Sequence, residues 1–234
     1  MNSVALQLLA IEQGLDFESV FVDHGADLPT TYEYMAMLIG KGYLITVIKP
    51  DVTGVSDLYE YCIKYAILPD RRFRWCTQKF KVEPVGAYYE RPALELIGFD
   101  AGEAKRRLSI TGKIGVEQDF PLIAAGIDRQ GCIDLIKRHG LPVPPKSGCY
   151  FCPFQGRRQW QELRKIHPEL FCKAQKLEQM TNERRRAVGK GPVYFRDIPL
   201  GDLIQVKDSR GRRALQGQTE AFDSFDRPPC RCGL

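Results

Sequence analysis

Short apolar, β-branched runs alternate with helical segments through the first 140 residues of this chain. The stretch SVFVDHG is typical of a buried strand ending in a turn, and YLITVIKP is a second such run, closed by Pro50. Between them PTTYEYMAMLIGKG starts with a proline and ends at Gly42, as a helix does. ALELIGF and DRQGCIDLIKRHG continue the alternation. The pattern predicts an α/β fold whose parallel sheet is twisted and covered on both faces.

Length and composition bound the protein class. A chain of 234 residues holds one α/β domain with a full core. Its hydrophobic content is 44%, yet no run approaches the ~20 apolar residues that cross a bilayer, so we expect no membrane association. The opening MNSVALQLLAIEQG lacks the basic start of a secretory signal, which predicts a cytoplasmic protein. There the eight cysteines would stay thiols, and their clustering favours metal binding or chemistry over disulfides.

The basic residues are bunched along the chain. The formal net charge is +5, and four short stretches carry three Lys or Arg residues each. Such bunching favours a polyanionic ligand, either a nucleotide or a nucleic acid, although each bunch alone is also compatible with a solvated face. The stretches are Arg71–Arg74, Lys105–Arg107, Arg184–Arg186 and Arg210–Arg213.

Polar and charged side chains follow the predicted strands. In open parallel sheets, ligands bind beyond the carboxyl ends of the strands. Taken singly, these residues can also be helix caps, turn residues or small buried side chains. Their grouping predicts a ligand site that contains Asp23, His24, Gly25 and Asp27 after the first strand, Arg74, Cys76 and Lys79 in RRFRWCTQKF, and Asp100, Glu103 and Arg106 in LIGFDAGEAKRR.

Two cysteines stand two residues apart in KSGCYFCPF. A Cys149-x-x-Cys152 turn suits a zinc ion, an iron–sulfur cluster or a redox disulfide, and buried structural thiols are the alternative. A metal would need further ligands. Cys76 and one of the tail cysteines, Cys230 or Cys232, are able to supply them, and the spacing does not separate zinc from iron.

The order of these blocks resembles a known family. FVDHGADLP, RWCTQKFKVEP, LIGFDAGEAKRR, PLIAAG and KSGCYFCPF follow one another as in the phosphoadenosine phosphosulfate (PAPS) reductase family, within the adenine nucleotide α-hydrolase-like (PP-loop) superfamily. The resemblance spans residues 1–175, a nucleotide-binding domain, and leaves 176–234 as a helical or irregular extension with a cysteine-containing tail. It implies a Rossmann-like, doubly wound parallel sheet that binds an adenine nucleotide, ATP or PAPS.

The resemblance also implies a 4Fe-4S cluster on cysteines, with zinc as the alternative. Cys76 matches the upstream ligand of the family, and Cys149 and Cys152 match the paired ligands. We expect Cys230 as the fourth ligand, with Cys172 and Cys232 as alternatives. The ending Cys232-Gly233-Leu234 is similar to the stretch that carries the mobile nucleophile of the sulfate-reducing members, which makes Cys232 the candidate catalytic residue.

The amino terminus departs from the family pattern. The family's phosphate loop has the form SGGKDS after the first strand, whereas Met1-Asn2-Ser3 resembles only its last part. We therefore expect an N-terminal strand to be missing, either because the start lies upstream or because part of the nucleotide site is lost. Ser3 is the remaining phosphate-loop candidate.

Three functions are compatible with the sequence. The first is reduction of a nucleotide-activated sulfur group, in which Arg74 and Lys79 neutralise the nucleotide and an external thiol acts as electron donor. The second is ATP-dependent sulfur transfer, which resembles DNA phosphorothioation or thiolation enzymes and uses a sulfur donor protein. The third is a metal-stapled module that binds nucleic acid without catalysis.

Overall fold

The computed structural model describes residues 1–109 and 114–203 and shows a mixed α/β protein. Helices dominate, and the strands are short. The predicted tail residues Cys230 and Cys232 lie outside the described residues. The helices are α1 (Asn2–Glu12), α2 (Pro29–Gly40), α3 (Leu58–Tyr65), α4 (Trp75–Thr77), α5 (Glu83–Tyr88), α6 (Pro121–Ala124), α7 (Arg129–Arg138), α8 (Arg157–Ile166), α9 (Pro168–Ala187) and α10 (Leu200–Leu203), with a π-helical segment (Gln78–Val82) and a 3₁₀ segment (Ala101–Ser109); the strands are β1 (Val20–Val22), β2 (Thr46–Ile48), β3 (Ala93–Leu96) and β4 (Val116–Asp119).

The strands pair in two parallel, two-stranded sheets. β1 pairs with β2 in the register Phe21 to Val47, and β3 pairs with β4 in the register Leu94 to Glu117. The α/β class and the strands SVFVD, YLITVIKP and ALELIGF are thus confirmed. β4 was not predicted, because VEQD carries polar residues at three of its four positions.

Local signals fix the ends of the main helices. The Asp128 side chain caps α7 by accepting a hydrogen bond from the Gly131 N–H at 2.8 Å. Past the end of α2, Gly42 has a φ of +90°, and its N–H donates to Ile39 O while Tyr43 N–H donates to Leu38 O. This pair of bonds satisfies carbonyls that the end of a helix leaves open, and it requires a residue that tolerates left-handed backbone.

The chain divides into two compact units. Among the described residues, the first unit contains residues 1–57 and 77–148, and the second contains 58–76 and 149–203. The predicted boundary at residue 175 falls inside α9. The division into 1–175 and 176–234 stays a prediction, because most of that extension lies outside the described residues.

The core of the first unit forms around α1. Its residues Ala5, Leu8 and Leu9 are buried against α7 and neighbouring segments. Removing such side chains from water supplies roughly 25 cal/mol per Å² of apolar surface. The other buried members of this core are Leu6, Leu38, Leu122, Cys132, Leu135, Ile136 and Leu141.

The core of the second unit is aromatic. Trp160 is fully buried, with ring centroids 6.4 Å from Phe171 and 5.6 Å from Phe195. The buried Glu178 carboxylate accepts the backbone N–H groups of Phe195 at 3.0 Å and Leu200 at 2.9 Å. Burial raises the pKa of Glu178, and these two bonds oppose the rise. One carboxylate thus fixes the chain that follows α9.

Within the described residues, no helix combines the length and the apolar character needed to span a membrane.

Candidate functional site

The loop after β1 holds a compact polar group, here named the β1 loop cluster: Asp23, His24, Asp27 and Tyr32. Asp23 Oδ1 accepts hydrogen bonds from the Gly25 N–H and from the Tyr32 hydroxyl, both at 3.0 Å. The Tyr32 hydroxyl also accepts the Asp27 N–H at 3.3 Å. The predicted residues Asp23, His24 and Gly25 therefore lie in one ordered turn at the carboxyl end of a strand.

His24 and Asp27 are the buried members of this cluster. His24 is 0% exposed and Asp27 6%. His24 Nδ1 accepts the Ala26 N–H at 3.3 Å, so in the neutral ring the proton is on Nε2, which lies 3.5 Å from Asp27 Oδ2. Burial lowers the pKa of His24, while the nearby Asp27 carboxylate opposes the shift. The imidazole is therefore neutral at pH 7.

One oxygen of the cluster lacks a hydrogen bond. Asp27 Oδ1 is buried without a partner. A buried acceptor left unsatisfied costs ~1 to 3 kcal/mol, so it is a strong candidate to hold a proton donor or a cation. Imidazole and carboxylate groups are also common metal ligands, and here His24 Nε2 lies 3.5 Å from Asp27 Oδ2.

Gly25 is required by the shape of this turn. Its φ is +72°, and a Cβ there would lie 2.2 Å from Asp57 Oδ2. Any larger residue would displace the Asp57 side chain and strain the backbone. Gly25 therefore shapes the cluster through its backbone.

A second polar group follows β3, here named the β3 loop cluster: Asn2, Asp100, Glu103 and Arg106. Asn2 Nδ2 donates to Asp100 Oδ2 at 3.0 Å and to Glu103 Oε2 at 3.1 Å. Arg106 pairs with Glu103 through its guanidinium, which also lies 4.3 Å from the Phe99 ring centroid. The predicted residues Asp100 and Arg106 are thus linked through the Asn2 amide and the Glu103 carboxylate.

The amino end of α1 lies against the carboxyl end of β3. A Cβ on Gly98 would be 3.3 Å from Asn2 C, Asn2 O and Ser3 N. No side chain caps α1 at its N-cap, Met1, and Ser3 is exposed. A helix start carries partial positive charge and N–H groups that bind anions. Ser3 therefore lies exposed at a helix amino terminus that no side chain caps.

Arg74 directly precedes α4, and Lys79 lies within the π-helical segment that follows α4. Both are partly buried. Arg74 has a φ of +50°, unusual for a residue with a side chain, and its Nε is buried without a hydrogen-bond partner. A buried guanidinium nitrogen with an open donor is suited to an anionic ligand.

The predicted metal ligands Cys76, Cys149 and Cys152 all belong to the second unit. Cys152 N–H donates to Cys149 O at 3.1 Å, and Gln155 Nε2 donates to Cys149 O at 3.0 Å and to Tyr150 O at 2.7 Å. The Cys149-x-x-Cys152 segment is thus an ordered turn, as a paired-ligand motif requires. Cys172 is exposed on α9.

Sequence reasoning missed two members of the clusters. Tyr32 lies in a segment whose pattern predicts a helix. In the structure its hydroxyl contacts Asp23, nine residues earlier, just after β1. Asn2 is 98 residues from its partner Asp100, and no local pattern joins them.

Comparison with known proteins finds an uncharacterized archaeal relative. The chain is 26% identical over 186 residues to an uncharacterized protein of Methanocaldococcus jannaschii, MJ0973. The match covers 74% of this chain and 44% of that protein, so the chain spans less than half of the relative's length. No protein-family model matches the chain, and no solved structure matches it.

Proposed function

We propose that the chain binds an adenine nucleotide at the carboxyl ends of β1 and β3 and acts in the reduction of a nucleotide-activated sulfur group. The observation that carries the proposal is the placement of the α1 amino terminus against Gly98 and Asp100. In this assignment the two small parallel sheets belong to a Rossmann-like, doubly wound sheet, the fold implied by the PAPS reductase resemblance.

In this proposal, different residues contact the phosphates and the sugar or base of the nucleotide. Ser3 and the first N–H groups of α1 face the phosphates, and Arg106 neutralises them from the 3₁₀ segment. Lys79, in the same unit as β1 and β3, supplies further positive charge, and the family resemblance implies the same role for Arg74. Asp23, held by Tyr32 and the Gly25 N–H, accepts hydrogen bonds from the sugar or base.

The chemistry proposed is thiol-dependent reduction of PAPS. A cysteine thiolate, assigned to Cys232, attacks the sulfonate sulfur, forms an S–S bond and releases adenosine 3′,5′-bisphosphate. A second thiol from the electron donor then attacks the cysteine sulfur, releasing sulfite. Two thiols are oxidised to one disulfide for each sulfonate reduced, and their two protons go to solution.

The cofactor proposed is a 4Fe-4S cluster on Cys76, Cys149, Cys152 and Cys230. Support comes from the ordered Cys149-x-x-Cys152 turn and from Cys76 in the same unit. Bound there, a cluster would couple ligation to folding. Iron, sulfide and zinc analysis of an anaerobic preparation tests this assignment, and stoichiometric zinc without iron would overturn it.

Nucleotide turnover tests the function itself. Anaerobic protein is mixed with PAPS or ATP and a dithiol, and sulfite, AMP and pyrophosphate are measured, with Cys232→Ser as the matched control. We expect sulfite from PAPS, lost in the variant. AMP and pyrophosphate from ATP would instead identify a sulfurtransferase. Binding of nucleic acid with no turnover of either nucleotide would favour the non-catalytic module.

A further inference from the structure

The chain segment between α3 and α4 is built as a rigid turn. In this segment, Asp70–Arg74, here named the arginine loop, Asp70 Oδ1 accepts the N–H groups of Arg72 at 2.7 Å and Phe73 at 2.9 Å. The Arg74 N–H closes the turn on Asp70 O at 3.1 Å. Such side-chain and backbone bonds pre-organise a turn, so its tip has a defined direction.

The tip of the arginine loop exposes an aromatic ring among positive charges. Phe73 is 73% exposed, which forfeits the stabilisation its burial would give. The Arg72 guanidinium lies 5.3 Å from the ring centroid. Arg71 pairs with Asp197 at 3.2 Å across an exposed surface, a weak interaction that a phosphate could replace. With Arg74, three arginines and a ring occupy four successive positions.

Packing in the second unit places further aromatic side chains beside the arginine loop. Trp75 closes the loop base by donating from Nε1 to Leu68 O at 3.1 Å, and its ring lies 5.5 Å from Tyr61. Tyr61 in turn lies 4.5 Å from Tyr65, which is 46% exposed at the end of α3. The aromatic series therefore runs from the loop to the surface at the end of α3.

The end of α9 adds positive charge beside the carboxyl end of α3. Arg184 Nη1 donates to Ile63 O at 2.8 Å and to Lys64 O at 3.3 Å, so it covers the last carbonyls of α3. Lys64 Nζ lies 5.4 Å from the Tyr65 ring centroid. Arg186, also exposed, follows in the same turn of α9.

We propose that this surface of the second unit, the arginine loop with the ends of α3 and α9, binds single-stranded nucleic acid. Arginine and lysine side chains contact phosphates, and exposed rings stack on unpaired bases. The Phe73 ring, with Arg72 beside it, is the stacking platform. Charge complementarity selects a polyanion, and the exposed aromatic rings select one that carries bases. The proposal uses neither the β1 nor the β3 loop cluster, and Arg74 is the one residue that it shares with the proposed nucleotide site.

Fluorescence anisotropy of the full chain tests the proposal with three labelled probes of equal length: a 12-nucleotide DNA, the same sequence in RNA and an abasic DNA. We expect the abasic strand to bind at least about 5-fold more weakly than the base-containing strands, since each stacked base contributes ~1 to 3 kcal/mol. If the sequence contains no thymine or uracil, the RNA and DNA probes differ only in the 2′-hydroxyl, so a difference in affinity between them shows which sugar the surface prefers. Equal binding of the abasic probe would overturn the proposal in favour of a general polyanion surface.

Two variants separate stacking from charge. Phe73→Ala should remove most of the preference for base-containing strands, and Arg72→Glu should reduce the slope of log K against log salt by about 0.7 or more. Leu44→Ala, which removes an 89% exposed apolar side chain of the first unit, and Lys137→Glu, which makes the same charge change on α7, are the matched controls. Far-ultraviolet circular dichroism checks the fold of each. If both loop variants bind every probe as tightly as their controls, the arginine loop is not the binding surface.

Discussion

The β1 and β3 loop clusters each follow a parallel strand, yet their charged groups differ in burial and in hydrogen bonding. In the β1 loop cluster, His24 and Asp27 are buried and Asp27 Oδ1 has no hydrogen-bond partner. In the β3 loop cluster, Arg106 and Glu103 are only partly buried, and Asn2 satisfies both carboxylates. A buried, under-satisfied group depends on its neighbours for stability, whereas an ion pair whose side chains are 20% and 17% exposed can open to admit a ligand.

This difference assigns separate tasks to the two clusters. The β1 loop cluster fixes the turn that follows β1, so changes there should affect folding first. The β3 loop cluster lies at the uncapped start of α1, so changes there should affect anion binding first.

The largest effect is expected from His24→Ala. The change removes a fully buried ring and leaves the Asp27 carboxylate with less compensation, so the free energy of unfolding should fall by about 3 kcal/mol. Urea denaturation followed by circular dichroism measures it. His139→Ala is the matched control, because His139 makes a more exposed contact with Glu12. Its effect should stay within about 1 kcal/mol. Similar losses in the two variants would contradict the distinction drawn for His24.

The opposite pattern is expected from Arg106→Ala. Loss of a charge-assisted bond to phosphate costs ~1.5 to 3 kcal/mol, so ATP or PAPS should bind roughly 10- to 100-fold more weakly. The free energy of unfolding should change by less than about 1 kcal/mol, because the pair with Glu103 is partly exposed. Titration calorimetry compares Arg106→Ala with Arg138→Ala, a variant of a pair on α1 and α7. Unchanged affinity in Arg106→Ala would remove the β3 loop cluster from the nucleotide site.

The contrast also shows which features the sequence predicts. Signals within a few residues were sufficient for α7, where Asp128 caps the start and Gly140 follows the end with a φ of +67°. The hydrophobic pattern located β1, β2 and β3 but missed β4, whose polar residues resemble a loop. The sequence also predicted that Asp23, His24 and Gly25 follow a strand, because strand ends are local features.

Contacts between distant residues were beyond sequence reasoning. The bond from Asn2 to Asp100 depends on how α1 packs beside β3, and no periodicity contains that information. The same holds for strand pairing: alternating segments predict a parallel sheet, but they do not determine which edges meet. The unsatisfied oxygen of Asp27 is likewise visible only when every neighbour is placed.

The pH dependence of stability should trace to His24. Burial lowers the pKa of His24 in the folded protein below its ordinary value of about 6.5, so the unfolded chain binds the proton more readily. Stability is therefore lost as the pH falls below about 6.5, with a limiting slope of about 1.4 kcal/mol per pH unit. Urea midpoints between pH 7.5 and 5 measure this slope. His24→Gln should flatten it, whereas His139→Gln should not. An equally steep fall in His24→Gln would assign the dependence to other groups.

The smallest effect concerns the hydroxyl that joins the two ends of the β1 loop cluster. Tyr32 Oη donates to Asp23 Oδ1 and accepts the Asp27 N–H, and both burial and the Asp23 carboxylate raise the pKa of this tyrosine. Tyr32→Phe should therefore lower the free energy of unfolding by about 1 kcal/mol, because two partners lose a bond in a part-buried site. Tyr34→Phe is the matched control two residues away on α2, where the hydroxyl makes one exposed bond to Pro142 O. Its cost should be nearer about 0.5 kcal/mol. If urea denaturation gives the two variants the same free energy of unfolding, the Tyr32 hydroxyl stabilises the protein no more than the exposed Tyr34 hydroxyl does, and the Gly25 N–H is then the main contact that orders Asp23.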